Sequence, residues 1–198
     1  ASQYKDEILV AADSFSGYAI LRSDAVKQDL KTKQIKLTFQ DDRGDYTARL
    51  KALQSGKVQM AVFTVDSLIA AGAKAGEFPG SIVLVIDETK GGDAIVAHKS
   101  AVGSLQDLNH PSARLVLTPN SPSEFLARVV LAHFSLPQLP EKWWVEADGA
   151  KEVFNQFRSA GSTGKIAYVL WEPYVSKALQ IPGAHVLKPG SASRPFLG

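Results

Sequence analysis

Small hydroxyl and acidic side chains gather in this chain where apolar runs give way to helical patterns. DSFSGY (residues 13–18), FTVDS (63–67) and SPSEFL (121–126) are three such places. At a strand-to-helix junction the first N–H groups of the helix lack partners, and the helix dipole adds positive potential. Ser14, Ser16, Thr64, Ser121 and Ser123 therefore stand where hydroxyls and backbone N–H groups together can hold an anion. Gly17 lets a ligand approach the main chain closely, and Tyr18 is placed to close over it. Asp66 and Glu124 occupy first helical turns. A plainer use competes at each position, since serine before an apolar helix is a common cap. Ser121 and Glu124 have the capping-box spacing, with Pro122 suited to the first turn. Capping and anion binding draw on the same N–H groups, so both readings stand.

A fourth junction is YVLWEPY (168–174), where a strand ends and Pro173 fits a helix start. Trp171 offers a large apolar wall and Glu172 a hydrogen-bond acceptor. The alternative for Trp171 is core packing. Junctions of this kind at the carboxyl ends of strands are where open α/β sheets bind small molecules, and their presence in both halves predicts a cleft between two lobes.

Catalytic chemistry finds little support. The four histidines, His98, His110, His133 and His185, include no pair three or four residues apart that would set two ligands on one helix face. Cysteine is absent, which removes thiolate ligands, a thiol nucleophile and disulfides together. No serine lies in a Gly-x-Ser-x-Gly elbow. No catalytic residue, metal site or cofactor is expected.

The elements that must position these junctions follow from hydrophobic periodicity. Strands are predicted at 7–12, 35–39, 58–63 and 81–86, with helices at 18–31, 46–54 and 66–75 between them. After Thr89-Lys90-Gly91-Gly92 the pattern begins again: strands at 94–97, 114–118, 144–146 and 166–170, and helices at 102–108, 123–134, 150–159 and 172–179. This is an α/β chain with mostly parallel sheets covered by helices. Residues 1–90 form lobe one, residues 91–190 lobe two, and the Gly-Gly pair marks a hinge near Thr89 to Asp93. The lobes do not align as a sequence repeat.

Composition agrees with a globular protein. Of 198 residues 45% are hydrophobic and 21% charged, which is enough apolar material for one large or two small domains. The net charge of +2 is spread evenly, with 12 basic and 12 acidic side chains up to Lys90 and 10 and 8 after it. Neither half is a basic surface, which argues against nucleic acid as partner. No apolar run approaches the length of about 18 residues needed to span a bilayer, so no membrane insertion is expected. The leading Ala1 fits the removal of a signal peptide.

DSFSGYAIL (13–21), LKALQSGKVQMAVFTVDSL (50–68), LTPNSPSEFLARVVL (117–131) and VLWEPYVSKAL (169–179) resemble the type 2 periplasmic solute-binding proteins. The likeness is greatest to the nitrate, sulfonate, taurine and thiamine-precursor receptors of ABC importers, and within them to a subgroup fused to an OmpA-like domain. The resemblance implies two α/β lobes with a small solute in the cleft between them. Lobe one would present Ser14, Ser16, Gly17, Tyr18, Thr64 and Asp66; lobe two would present Ser121, Ser123, Glu124, Trp171 and Glu172. It further implies a periplasmic location and an ABC permease or cell-envelope partner that reads hinge closure. Family members run on past the equivalent of Phe196-Leu197-Gly198 with a strand returning to lobe one, so residues 191–198 are expected to begin a truncated return. The ligand is expected to be anionic or zwitterionic, because Asp13, Asp66 and Glu172 leave room for an amine. Two other readings accompany this one: a cell-envelope interaction or sensory module on the same scaffold, and an enzyme of the same fold.

Overall fold

A computed structural model of the chain describes residues 3–88 and 91–187. Thr89 and Lys90 of the expected hinge, and the expected return segment 191–198, lie outside the described residues. The chain forms two compact units that part between residues 90 and 91.

Unit 1 is built on a three-stranded parallel sheet of order β2-β1-β3. Strand β1 (Asp6–Ala11) pairs along its whole length with β2 (Ile35–Gln40), from Asp6 opposite Ile35 to Ala11 opposite Gln40. Strand β1 begins with the exposed Asp6 and Glu7 and ends in the apolar run 8–11, of which Val10 and Ala11 are buried between the two neighbouring strands. Strand β3 is only Met60–Ala61, set against Val10 and Ala11. Helices α1 (Asp24–Thr32), α2 (Tyr46–Gln54) and α3 (Val65–Ala75) connect and flank the strands. Val10, Ala12, Tyr18 and Val62 form one buried cluster, with Ile8, Phe15, Leu37, Phe39 and Ile86 against it. Ala11, Ala52 and Val58 form another.

Two expectations for this unit are corrected. The helix predicted over 18–31 is broken at Ser23, which is extended (φ −65°, ψ 150°) and accepts a hydrogen bond from Val26 N through its hydroxyl. A 3-10 helix, Ser16–Arg22, precedes the break and α1 follows it. Serine competes with helical backbone bonds in this way, which is why it starts helices more readily than it continues them. The run SIVLVI, predicted as a strand over 81–86, pairs with no strand among the described residues. Ile82, Val83, Leu84 and Val85 are all more than 60% exposed, and only Ile86 packs into the core. A β-rich sequence becomes a strand only beside a neighbour that takes its backbone groups, and the short β3 supplies none.

Unit 2 holds a five-stranded mixed sheet of order β6-β5-β7-β4-β8. Its strands are β4 (Asp93–His98), β5 (Arg114–Leu117), β6 (Trp144–Glu146), β7 (Ile166–Trp171) and β8 (Ala184–Val186). Strand β5 runs parallel to β6 and β7, whereas β4 runs antiparallel to β7 and β8. The sheet of this unit is thus evenly mixed rather than mostly parallel. Three residues long, β8 carries too short a pattern to be recognised in sequence and is held by its pairing with β4. Helices α4 (Pro122–His133), α5 (Gly149–Ala160) and α6 (Tyr174–Leu179) cover the sheet. Ile95, Ala97, Leu115, Leu117, Ala167 and Val169 meet Ala127 and Val130 of α4 in the larger core.

Phe157 of α5 is fully buried. Its ring stacks on His98 at 4.3 Å and meets Tyr168 edge-on at 5.2 Å, while His98 Nε2 donates to Phe157 O. Truncation here removes an aromatic and leaves a cavity that the sheet cannot collapse to fill. Phe157→Ala is expected to lower unit 2 stability by about 3–5 kcal/mol, read from urea denaturation followed by tryptophan fluorescence.

Candidate functional site

In unit 1 the strands deliver their carboxyl ends to one edge, and a single guanidinium ties those ends together. Arg49 of α2 is fully buried. Its Nη2 donates to Asp13 Oδ2 (2.9 Å), two residues past β1, and its Nε donates to Asp42 Oδ2 (2.6 Å), two residues past β2. Nη2 also donates to Asp42 Oδ1, and Nη1 to the carbonyl of Val62, the residue after β3. The guanidinium lies 4.4 Å over the Tyr46 ring. Burial works against the Arg49 charge, but its two carboxylates more than restore it, so it is held above the ordinary arginine value.

Tyr46 is buried beside the same loops, its ring against Phe63 at 6.1 Å between centroids. Burial, reinforced by the Tyr18 hydroxyl and the Asp13 carboxylate, pushes its phenol well above the usual tyrosine value, while Arg49 and Thr64 pull the other way. Arg49 and Tyr46 carried no sequence signal of their own. The only trace was a pair three residues apart at the start of a helix whose first turn follows a strand end.

The expected ligand contacts of unit 1 divide. Ser14 and Ser16 are exposed, and Thr64 and Asp66 are half-buried. Thr64 caps α3 in a reciprocal arrangement with Ser67, its N–H donating to Ser67 Oγ at 3.0 Å. Tyr18 is buried in the core against Phe15, ring centroids 5.1 Å apart. The close approach at Gly17 comes from within the chain: a Cβ there would stand 2.3 Å from Asp87 Oδ2 and 2.4 Å from the Phe15 ring.

In unit 2 the strand ends of β5 and β7 meet the start of α4. Asn120, in the left-handed conformation at φ 55°, turns the chain into the helix. Its N–H donates to Glu124 Oε2 (2.6 Å), so Glu124 reaches one residue beyond the capping-box partner Ser121. Glu124 also pairs with Arg128 at 2.7 Å. Ser121 is the helix N-cap by position, but its hydroxyl donates to Thr118 O (2.6 Å) and no side chain caps α4. Ser123, wholly buried, donates to Asp93 Oδ1 (2.8 Å). Glu172 accepts from Ser176 N and Ser176 Oγ in α6.

With those hydroxyls engaged, two donors stand out. Among the described residues, the buried side-chain atoms without a hydrogen-bond partner are Thr118 Oγ1 and Trp171 Nε1. Thr118 directly follows β5, Trp171 ends β7, and each is over nine-tenths buried. Trp171 lies opposite Asp93 in the antiparallel β4–β7 ladder. Residues directly opposite share a face of the sheet, and Asp93 receives Ser123 of α4 on that face. The unpartnered indole N–H thus sits on the α4 side, beside an uncapped helix start. Such orphans in a native fold call for an explanation, and a ligand that accepts hydrogen bonds is one. No cluster of three metal-ligating side chains occurs among the described residues.

No protein-family model matches the chain, and no curated protein does. Solved structures do. The alkanesulfonate-binding protein SsuA from Xanthomonas axonopodis pv. citri, bound to MOPS, matches 96% of this chain over 62% of its own, with 20% identity and a TM-score of 0.69. The periplasmic aliphatic sulphonate binding protein SsuA from Escherichia coli matches 93% over 60%, with 17% identity and a TM-score of 0.59. The Candida albicans CA3427 gene product, of generic periplasmic-binding-protein fold, matches 92% over 58%, with 12% identity and a TM-score of 0.64. The chain spans about three fifths of the length of these three proteins. Its fold is the periplasmic-binding-protein fold.

The raised Tyr46 value carries a pH consequence. A phenol whose folded value lies above its unfolded one stabilises the fold at pH below about 10, and that contribution is lost as pH rises beyond it. Tyr46→Phe is expected to weaken the fold by no more than about 1 kcal/mol at neutral pH, since only the hydroxyl is lost. Above about pH 10 the variant should lose stability less steeply than the parent. Urea midpoints across that range check both signs.

Proposed function

We propose that the chain is the ligand-binding part of an extracytoplasmic solute-binding protein of the alkanesulfonate-receptor kind, serving ABC-type import or sensing. The observation that carries this is the pair of buried unpartnered donors, Trp171 Nε1 and Thr118 Oγ1, at strand ends beside the uncapped start of α4. The indole N–H can only donate and the threonine hydroxyl can donate beside it, so the group they suit is an acceptor. The N–H groups and positive dipole end of α4 favour a negatively charged one. Sulfonate, phosphonate, nitrate and carboxylate heads share this chemistry. Ser121, Ser123, Glu124 and Glu172 then act by shaping the α4 and α6 starts around the ligand. In unit 1, Ser14, Ser16, Thr64 and Asp66 form a ligand face of their own, and the acidic Asp66 allows a zwitterionic solute there.

Binding rather than turnover is supported by the sulfonate-binding proteins among the structural matches. No helix of the described residues is long and apolar enough to cross a membrane. The periplasmic setting, the ABC permease as partner and the OmpA-fused subgroup belong to this reading through the resemblance of the motifs.

Trp171→Phe separates binding from folding, because it removes the N–H and keeps most of the ring. Without ligand the variant is expected to be more stable by about 1 kcal/mol, since a buried unpaired donor is gone. Its affinity for the solute should fall about 10- to 100-fold, the effect of losing one hydrogen bond to a charged group. Thermal-shift and calorimetric titration with MOPS, taurine, nitrate, alkylphosphonates and amino acids measures both. A parent protein that none of these stabilises, or a Trp171→Phe variant that binds undiminished, would overturn the reading.

A further inference from the structure

We propose that Arg49, which touches no candidate ligand contact itself, is the positioning residue for the ligand face of unit 1; the proposal rests on the solute-binding reading above. Three loops leave the carboxyl edge of the unit 1 sheet, and Arg49 holds each at its root: Asp13 after β1, Asp42 after β2 and the Val62 carbonyl after β3. Ser14 and Ser16 lie one and three residues beyond the first anchor, Thr64 and Asp66 two and four beyond the third.

The first anchor is itself braced. Asp13 Oδ1 accepts from Phe15 N (2.9 Å), and the Asp13 carbonyl accepts from Arg22 Nη2 (2.6 Å). The Asp13 carboxylate therefore fixes the turn into the Ser16–Arg22 helix with one oxygen and its place over the sheet with the other. At the third anchor Thr64 is braced by Ser67, whose Oγ accepts from Thr64 N at 3.0 Å. The side chains of Asp13 and Asp42 are 3% and 6% exposed, so each carboxylate depends on Arg49 for its charge partner. The planar guanidinium is the one side chain able to reach three anchors at once, and an ammonium at the same place is not its equal.

Arg49→Lys keeps the charge and loses the fork. In the full chain, amide resonances of residues 13–18 and 62–67 are expected to move more than those of the rest of unit 1, and affinity for MOPS to fall about ten-fold, as for loss of other side chains that orient ligand-binding groups. Leu50→Ala, in the same helix at a buried apolar position, supplies the control: a stability loss with MOPS affinity unchanged. Should Arg49→Lys fail to fold, Asp13→Asn replaces it, with the same amides and the same loss expected. Amide changes spread evenly through unit 1, or equal loss of affinity in Leu50→Ala, would overturn the proposal. A parent protein that binds neither MOPS nor the other probes would instead sink the solute-binding reading, while the amide map would still decide whether Arg49 sets the loops.

Discussion

A charged group sealed from water must find every partner inside the protein, and in unit 1 that demand falls on Arg49. The parallel sheet brings three chain exits to one edge, each with carbonyls or carboxylates that the strands no longer use. A single guanidinium answers them, and the surrounding architecture follows. Helix α2 has to lie where its second turn can look under the edge, Tyr46 packs flat against the charge, and the loops after β1 and β3 start from fixed points. Removing one member of such a cluster leaves an uncompensated buried charge, which is worth several kcal/mol. The apolar clusters of unit 1 are small, so this polar knot does much to define the unit.

Unit 2 is organised differently. Its sheet is wider, both faces are covered by helices, and the polar groups at the strand ends are satisfied pairwise: Ser121 with the Thr118 carbonyl, Ser123 with Asp93, Glu124 with Asn120 and Arg128, Glu172 with Ser176. Among the described residues, satisfaction stops at Thr118 Oγ1 and Trp171 Nε1. A core selected for stability alone would place a valine and a phenylalanine there. Two donors kept dry and unpaired beside an uncapped helix are an expense of the kind that binding sites incur and that a bound acceptor reverses.

Much of the fold was legible. Helix α2 has the bounds that periodicity predicts, and β1, β2, β4 and β7 fall within one residue or so of the apolar runs that announce them. Where the chain departs from the pattern, a neighbour decides. SIVLVI has the composition of a strand and stays unpaired because no strand among the described residues lies alongside it. Ser23 interrupts a helical pattern because its hydroxyl can serve a fresh helix start. Of the candidate contacts, the hydroxyl-bearing junctions were visible by residue type, but hydroxyl type says nothing about which partner a hydroxyl finds. Ser121 and Ser123 turned inward, Tyr18 joined the core, and Gly17 made room for Asp87 and Phe15.

Legible in the sequence were the class of fold, most of the strands and helices in their order, and the places where strands hand over to helices, because these depend on short-range periodicity and on turn and cap chemistry that neighbouring residues settle among themselves. Only the tertiary structure decided that Arg49 joins Asp13, Asp42 and Val62, whose separations along the chain reach 36 residues. Only it showed that β4 and β8 run against β7 and β4, and that Trp171 keeps its N–H unpaired. Which polar atom meets which is fixed when distant segments pack and exclude water, and no local pattern carries that information.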